Sequence, residues 1–225
     1  MSPSRIVVFD LDGTLVDTAP DLIASLNYVL DREGLPPVPL QAARTMIGAG
    51  ARRLIERALE LEDRTASVDD ITRLTKDFID YYAAHIAVES LPFDGLEGAL
   101  DTLQTQGFAF AVCTNKLEWL SKLLLDQLGL SPRFAAICGA DTFGVAKPDP
   151  VILQQTVARA GGQMSSAIMV GDAGPDVGVA RRAGVPVIGV EFGYTDVPIA
   201  ELKPDRLIGH MRELPAAVES LMKST

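Results

Sequence analysis

Short apolar runs and longer stretches of helical period alternate along the chain, and the change between them marks its organisation. Residues 5–9, Arg-Ile-Val-Val-Phe, form the continuous apolar run required of a strand buried on both faces. Thr18-Ala-Pro-Asp21 then predicts a helix start: the Thr18 hydroxyl caps, Pro20 fits the first turn, and Asp21 supplies an acid three residues on. That helix runs through Ala24, Leu26, Val29 and Leu30 to Gly34. From Leu40 to about Ser90 the period stays helical, with apolar positions such as Met46, Ile47, Leu54, Ile55, Ile71, Leu74, Phe78 and Tyr82. Pro36-Pro37 and Leu91-Pro-Phe-Asp-Gly95 punctuate the two ends of this block.

Beyond Gly95 the pattern changes. Apolar runs at 108–113, 134–138, 167–170 and 186–190 alternate with helical stretches at 117–129, 150–161 and 177–184, and 206–208 could add a short strand before a last helix to Met222. Strands alternating with helices predict an α/β fold built on a doubly wound parallel sheet. The helical block then becomes a small all-helical domain inserted after the first strand. Residues 17–91 form that insert, while 1–16 and 92–225 form the Rossmann-like core.

Composition narrows the class. The 225 residues are 48% hydrophobic and 22% charged, as in an ordinary globular protein with ample core. A net charge of −10 disfavours nucleic acid and anionic membranes, so an anionic ligand needs a locally positive site. Cys113 and Cys138 lie inside apolar runs and read as core thiols of a reducing cytoplasm. The N-terminus lacks a signal-peptide pattern, and no stretch reaches the roughly 20 apolar residues of a membrane helix. His85 and His210 stand far apart, so any metal should be held by oxygen rather than imidazole.

In a doubly wound sheet, ligands bind beyond the carboxyl ends of the strands. The polar residues that follow the apolar runs are Asp10 and Asp12, then Thr114 and Asn115, then Asp172 and Asp176, with Lys147 on a loop between. Asp10 and Asp12 can point to one side while Leu11 turns inward, and Gly13 permits a sharp turn. Such a pair can bind a metal, act as acid and base, or join a nucleophile to a proton donor. Asp172 and Asp176 add oxygen ligands suited to Mg²⁺, and Thr114 with the Asn115 N–H at a helix start suits an anion such as a phosphoryl group. Four aspartates against Lys147 and one Mg²⁺ leave a charge of about −1, which protonation of one aspartate removes. An aspartate after a strand is commonly only a turn residue. The joint placement carries the weight.

These residues are four ordered motifs: DLDGT at 10–14, TN at 114–115, KP at 147–148 and GDAGPD at 171–176. Through them the chain resembles the haloacid dehalogenase superfamily of phosphotransferases over nearly its whole length. The resemblance implies that Asp10 attacks phosphorus and that Asp12 protonates the leaving group and then activates water. It implies that Thr114, Asn115 and Lys147, with Gly13 and Thr14 of the first loop, hold the phosphoryl group. It implies that Mg²⁺ is bound by Asp10, the Asp12 carbonyl and Asp172, with Asp176 in the outer shell or orienting the lysine. Asp12 disfavours dehalogenation, in which no leaving group needs protonating. In the fourth motif Ala173 and Pro175 replace the more usual Ser and Asn, which removes side-chain hydrogen bonds and stiffens the loop.

The insert resembles the family's small cap, which closes over the site and chooses the substrate. DGTLVDTAPDLIASLN, RTMIGAGARRLIERAL and EFGYTD resemble the phosphoglycolate phosphatase branch, implying a small phosphomonoester and 2-phosphoglycolate first. A carboxylate-bearing substrate needs a positive or N–H-rich spot, for which Arg44, Gly48 and Gly50 are candidates beside Arg52 and Arg53; the alternative is a plain interhelical turn. Asp17-Thr18 and Leu91–Gly95 are candidate hinges. The expected partner is the substrate alone, with the chain a monomer or homodimer. Competing readings are a β-phosphoglucomutase-like phosphomutase, a phosphonoacetaldehyde hydrolase needing a Schiff-base lysine for which the insert offers only Lys76, and a non-catalytic phosphate-binding module.

Overall fold

The computed structural model describes residues 4–223. Strand β1 (Ser4–Phe9) lies at the centre of the main sheet. Its side chains alternate between two cores, Val7 and Phe9 on one face, Ile6 and Val8 on the other. All four are fully buried, at about 1.5–3 kcal/mol for each large aliphatic. Burial on both faces is why the run is continuously apolar.

The chain next forms a two-residue strand β2 (Val16–Asp17), then helices α1 (Ala19–Arg32), α2 (Leu40–Arg44), α3 (Ala51–Leu61) and α4 (Val68–Ala84), then a two-residue strand β3 (Leu91–Pro92). β2 and β3 pair antiparallel, so the helical insert leaves and rejoins the chain through one ribbon at the two expected hinge segments. Neither strand is long enough to show a sequence period. The apolar faces of α1, α3 and α4 join the same core as Val7 and Phe9.

Thr18 and Asp21 correct the expected capping. Thr18 makes no side-chain cap hydrogen bond; its hydroxyl donates instead to Asp12 Oδ1 at 2.8 Å. Asp21 is buried and accepts the N–H groups of Val88, Glu89 and Ser90 and the Ser90 hydroxyl, the last at 2.6 Å. It thus fastens α1 to the segment that returns to the core. Long-range partners displaced the local ones that the spacing suggested.

After β3 come α5 (Leu96–Thr105), β4 (Phe108–Cys113), α6 (Glu118–Gln127), β5 (Ala136–Cys138), α7 (Pro150–Arg159), β6 (Gly162–Gly171), α8 (Gly174–Ala183), β7 (Val187–Val190), β8 (Arg206–Ile208) and α9 (Leu214–Met222). β6 begins five residues before the apolar run that marks it. The six long-sheet strands run in the order β5-β4-β1-β6-β7-β8, every pairing parallel. Helices α5, α6 and α9 cover one face, α7 and α8 the other. This is the doubly wound α/β sheet that the alternation predicts. Among the described residues no helix is long and apolar enough to cross a membrane.

Candidate active site

Phe9 lies in register with Val112 of β4 and Val170 of β6, so the residues just beyond three adjacent strands emerge side by side. They are Asp10, Thr114 and Asp172. All are buried, as are Lys147 and Asp176. The sheet therefore brings together the residues that the sequence motifs single out.

Asp10 Oδ1 accepts the Leu11 N–H at 2.7 Å and the Lys147 ammonium at 2.8 Å. Lys147 Nζ also reaches Asp176 Oδ1 at 2.6 Å. The other Asp176 oxygen accepts the N–H groups of Asp172 and Ala173, at 3.2 and 3.1 Å. Ala173 stands at the N-cap of α8 without a side-chain acceptor; its carbonyl takes the Asp176 N–H at 3.1 Å, and the Asp176 carboxylate in turn takes the Ala173 N–H, which is the half of a capping box that an alanine permits. Pro175 occupies the first turn, where no N–H is missed. Asp172 accepts the Thr14 hydroxyl at 3.0 Å and the Tyr194 N–H at 2.6 Å.

One carboxylate oxygen from each of Asp10, Asp172 and Asp176 lies within 4.8 Å of the others. Burial, against the pull of Lys147, pushes Asp10 up to about 6, with Asp176 adding to the rise. Burial, then Asp176 and Asp10, raises Asp172 well above the usual carboxylate range. A cluster of buried hard oxygens that ionises reluctantly fits a divalent cation. Glycine backbone shapes the cradle: Gly13 has φ +81°, and a Cβ there would stand 2.5 Å from Asp172 Oδ2. A Cβ on Gly193 would also collide with Asp172.

Asp12 stands apart from this cluster. Its Oδ1 accepts the Thr18 hydroxyl at 2.8 Å and the Lys116 ammonium at 2.9 Å. Lys116 also bonds the Tyr82 hydroxyl of α4 at 2.9 Å, with its ammonium 4.4 Å from the Tyr82 ring centre. Burial works against the charge on Lys116, but Asp12 and Tyr82 outweigh it and hold the lysine above its usual range. Lys147 behaves likewise: burial opposes its charge, and Asp10 and Asp176 overcome it.

Lys116 revises the charge count. Asp10, Asp12, Asp172 and Asp176 face two buried ammonium groups, so one divalent cation brings the ionised centre to about zero rather than about −1. Sequence reasoning passed over Lys116, although it directly follows Thr114-Asn115. It also passed over the roles of Tyr82 and Tyr194, the latter inside the EFGYTD segment.

A cavity of about 260 Å³ lies between this centre and the helical insert. Asp10, Asp12, Thr114, Asn115 and Lys116 line its floor, with Leu22, Ile47, Leu54, Phe78, Ile79 and Leu120 around the sides. It is below the roughly 300–1,000 Å³ of drug-sized pockets and suits a small ligand. Gly48 and Gly50 line it. Arg44 is not among the lining residues: its guanidinium pairs with Asp17 Oδ2 at 3.0 Å on β2 and lies over the Tyr194 ring. Arg52 lines the cavity but pairs with Glu56 at 3.0 Å, and Arg53 pairs with Glu60 at 2.7 Å. Lys76 is exposed, pairs with Asp80 and lies outside the lining.

Asn115 departs from the expected geometry. Helix α6 starts at Glu118, so the Asn115 amide is not among its first N–H groups. The side chain is instead a strut: Oδ1 accepts the Lys147 N–H at 2.8 Å, and Nδ2 donates to the carbonyls of Lys147 and Gly48, each at 3.3 Å. It aligns the lysine loop with the insert.

The family model for haloacid dehalogenase-like hydrolases matches residues 7–190. A phosphoglycolate phosphatase of Caulobacter vibrioides is 46% identical over 218 residues, covering 97% of this chain and 92% of that one. One from Agrobacterium fabrum is 46% identical over 220 residues, covering 97% and 94%. A crystal structure of a predicted phosphoglycolate phosphatase from Haemophilus somnus superposes with a TM-score of 0.88 at 28% identity, over 96% of this chain and 99% of that one. A β-phosphoglucomutase from Clostridium difficile shares the fold at a TM-score of 0.79 and 17% identity, over 98% and 99%.

Proposed function

The chain belongs to the haloacid dehalogenase-like hydrolases and is a phosphatase of that family, and from this premise we propose a Mg²⁺-dependent hydrolysis of 2-phosphoglycolate through an aspartyl-phosphate. The observation that carries the mechanism is the division of labour between two carboxylates. Asp10 is gripped by Lys147 beside the acidic cluster, whereas Asp12 is gripped by Lys116 beside the cavity. The substrate follows from relatives named phosphoglycolate phosphatase that match almost end to end and from the small size of the cavity.

Among the described residues both donors to Asp10 engage Oδ1, which leaves Oδ2 to attack phosphorus. The phosphorus–oxygen ester bond breaks as the new bond to Asp10 forms. Asp12 delivers its proton to the departing glycolate oxygen and becomes a carboxylate, stabilised by Lys116 and the Thr18 hydroxyl. That carboxylate then takes a proton from the water that attacks the aspartyl-phosphate, releasing phosphate and restoring both aspartates. In this reading the Thr114 hydroxyl, on the cavity floor, and the Lys147 ammonium, held on Asp10, donate to the phosphoryl oxygens. Asp10, the Asp12 carbonyl and Asp172 would hold the Mg²⁺, with Asp176 aligning Lys147. Bound there, the cation supplies charge that offsets repulsion between Asp10 and the incoming phosphate.

Residues 17–91 act as a cap in this reading, hinged on the β2–β3 ribbon, with the Gly48–Gly50 turn against the leaving group and the Arg44–Asp17 pair at the hinge. Cys113 and Cys138, neighbours in register yet both free thiols, suit a reducing cytoplasm. Phosphate release from a panel of phosphomonoesters in the presence of Mg²⁺ tests the proposal, with Asp10→Asn as control. The wild type should favour 2-phosphoglycolate and Asp10→Asn should be inactive. Full activity in that variant would sink the covalent mechanism.

A further inference from the structure

Two buried lysines divide the centre. Lys147 touches Asp10 and Asp176, both of the core, and so belongs to the phosphoryl side. Lys116 touches Asp12 and the insert residue Tyr82, and its side chain forms part of the cavity wall. It is only 8% exposed, amid Leu22, Phe78, Ile79 and Leu120. A desolvated cation among apolar walls attracts an anion far more strongly than one in water. Of its three N–H donors, Asp12 and Tyr82 take two.

We propose that Lys116 is the specificity-determining residue that selects a phosphomonoester carrying a carboxylate next to its ester carbon. The inference rests on the substrate reading above. Asp12 is the group that meets the ester oxygen, and Lys116 Nζ lies 2.9 Å from Asp12. In a phosphorylated 2-hydroxy acid of minimal size, one methylene separates the ester oxygen from the carboxyl carbon. A cation that reaches the acid therefore reaches that carboxylate too. A neutral leaving group of the same size gains nothing from the contact and leaves the buried ammonium less well paired.

Arg52, the other cationic side chain of the cavity wall, is a poorer candidate. It is half exposed and already paired with Glu56 one helical turn away, so solvent screens it. Tyr82 holds the lysine from the insert side, which links the selecting charge to the segment that forms the cavity roof.

The test compares 2-phosphoglycolate with ethyl phosphate, which keeps the two-carbon skeleton and lacks the carboxylate. In Lys116→Met, kcat/KM should fall for both substrates because Asp12 loses its ammonium partner, but it should fall at least about tenfold further for 2-phosphoglycolate than for ethyl phosphate, so the preference collapses. Lys116→Arg, which keeps the charge, should retain most of the preference. Thermal melts of all three proteins show whether each is folded, and ethyl phosphate turnover reports the loss that both substrates share through Asp12. An equal loss on both substrates in Lys116→Met would overturn the inference and reduce the lysine to support for Asp12. A wild type that turns over 2-phosphoglycolate no better than ethyl phosphate would instead overturn the substrate reading itself. Loss of preference in Lys116→Arg as large as in Lys116→Met would also overturn selection by charge.

Discussion

Tyr194 and Asp172 are joined at 2.6 Å by the tyrosine's backbone N–H, while the Tyr194 hydroxyl donates to Asp17 on β2 and accepts the Ala19 N–H at 3.0 Å. One residue thus ties an oxygen of the acidic cluster to the ribbon through which the insert is attached. Burial, reinforced by the Asp17 contact, raises the tyrosine above its usual range, so it stays a neutral donor. Tyr194→Phe keeps the backbone bond and removes only the hydroxyl. We expect a loss of about 1–3 kcal/mol in stability, measured by denaturant unfolding, because Asp17 and the Ala19 N–H lose a buried partner. We also expect a rise in KM with little change in Mg²⁺ affinity, since the Asp172 contact survives. A fall in Mg²⁺ affinity matching the rise in KM would show that the two ends of Tyr194 do not act separately.

Asp12→Asn separates the two chemical steps. An activated aryl phosphate needs no proton on its leaving group, so the first step should proceed with that substrate. The second step lacks its base, and the amide offers the attacking water no carboxylate. The expected result is a burst of one phenolate equivalent followed by slow turnover, with one phosphoryl group added to the protein mass. Steady turnover of the aryl ester at the wild-type rate, with no phosphorylated protein, would contradict the role given to Asp12.

The residues at the strand ends were legible in the sequence because a parallel sheet fixes both the pattern and the place. Asp10, Thr114 and Asp172 each follow a run that only a two-face-buried strand explains, and adjacent strands in register bring them together. Lys116 was not legible, because a lysine in a turn before a helix is ordinarily solvated, and the partners of its buried ammonium, Asp12 and Tyr82, lie far from it in sequence. Thr18 and Asp21 carry the spacing of a capping pair, yet the Thr18 hydroxyl donates to Asp12 and Asp21 accepts the amides of 88–90, partners remote from the helix start. Arg44 resembled a ligand of the glycine turn because its partner Asp17 lies 27 residues earlier, beyond any local pattern. β2 and β3 were invisible for a simpler reason: two residues have no period.

The acidic cluster predicts how Mg²⁺ and pH act on stability. In the metal-free protein the Asp10 pKa is raised to about 6 and that of Asp172 is raised as well, whereas an unfolded aspartate titrates near about 3.9. The folded form therefore binds protons that the unfolded chain has released. The Asp10 contribution to stability is complete below the unfolded value and is lost as pH rises through about 6, and the Asp172 contribution is lost as pH rises through its own raised value. Mg²⁺ stabilises the ionised cluster and competes with those protons. Thermal unfolding with excess Mg²⁺ and with a chelator should differ more near pH 7.5 than near pH 5. Equal differences at the two pH values would mean that the cation binds elsewhere.

Gly13→Ala tests the cradle. The glycine has φ +81°, and the added methyl would stand 2.5 Å from Asp172 Oδ2 and 2.9 Å from the Tyr194 ring. Either the loop or the Asp172 carboxylate has to move. Gly34→Ala is the matched control: its φ is +68°, with nothing within 4 Å of the new carbon. Both variants bear the backbone cost of an alanine in the left-handed region, about 1–2 kcal/mol. Only Gly13→Ala also displaces a carboxylate of the acidic cluster. We therefore expect both to lose similar backbone stability, with a larger total loss in Gly13→Ala. We expect a Mg²⁺ affinity at least about tenfold weaker in Gly13→Ala alone, read by calorimetric titration. If the two variants bind Mg²⁺ equally well, the glycine serves the turn and not the cluster.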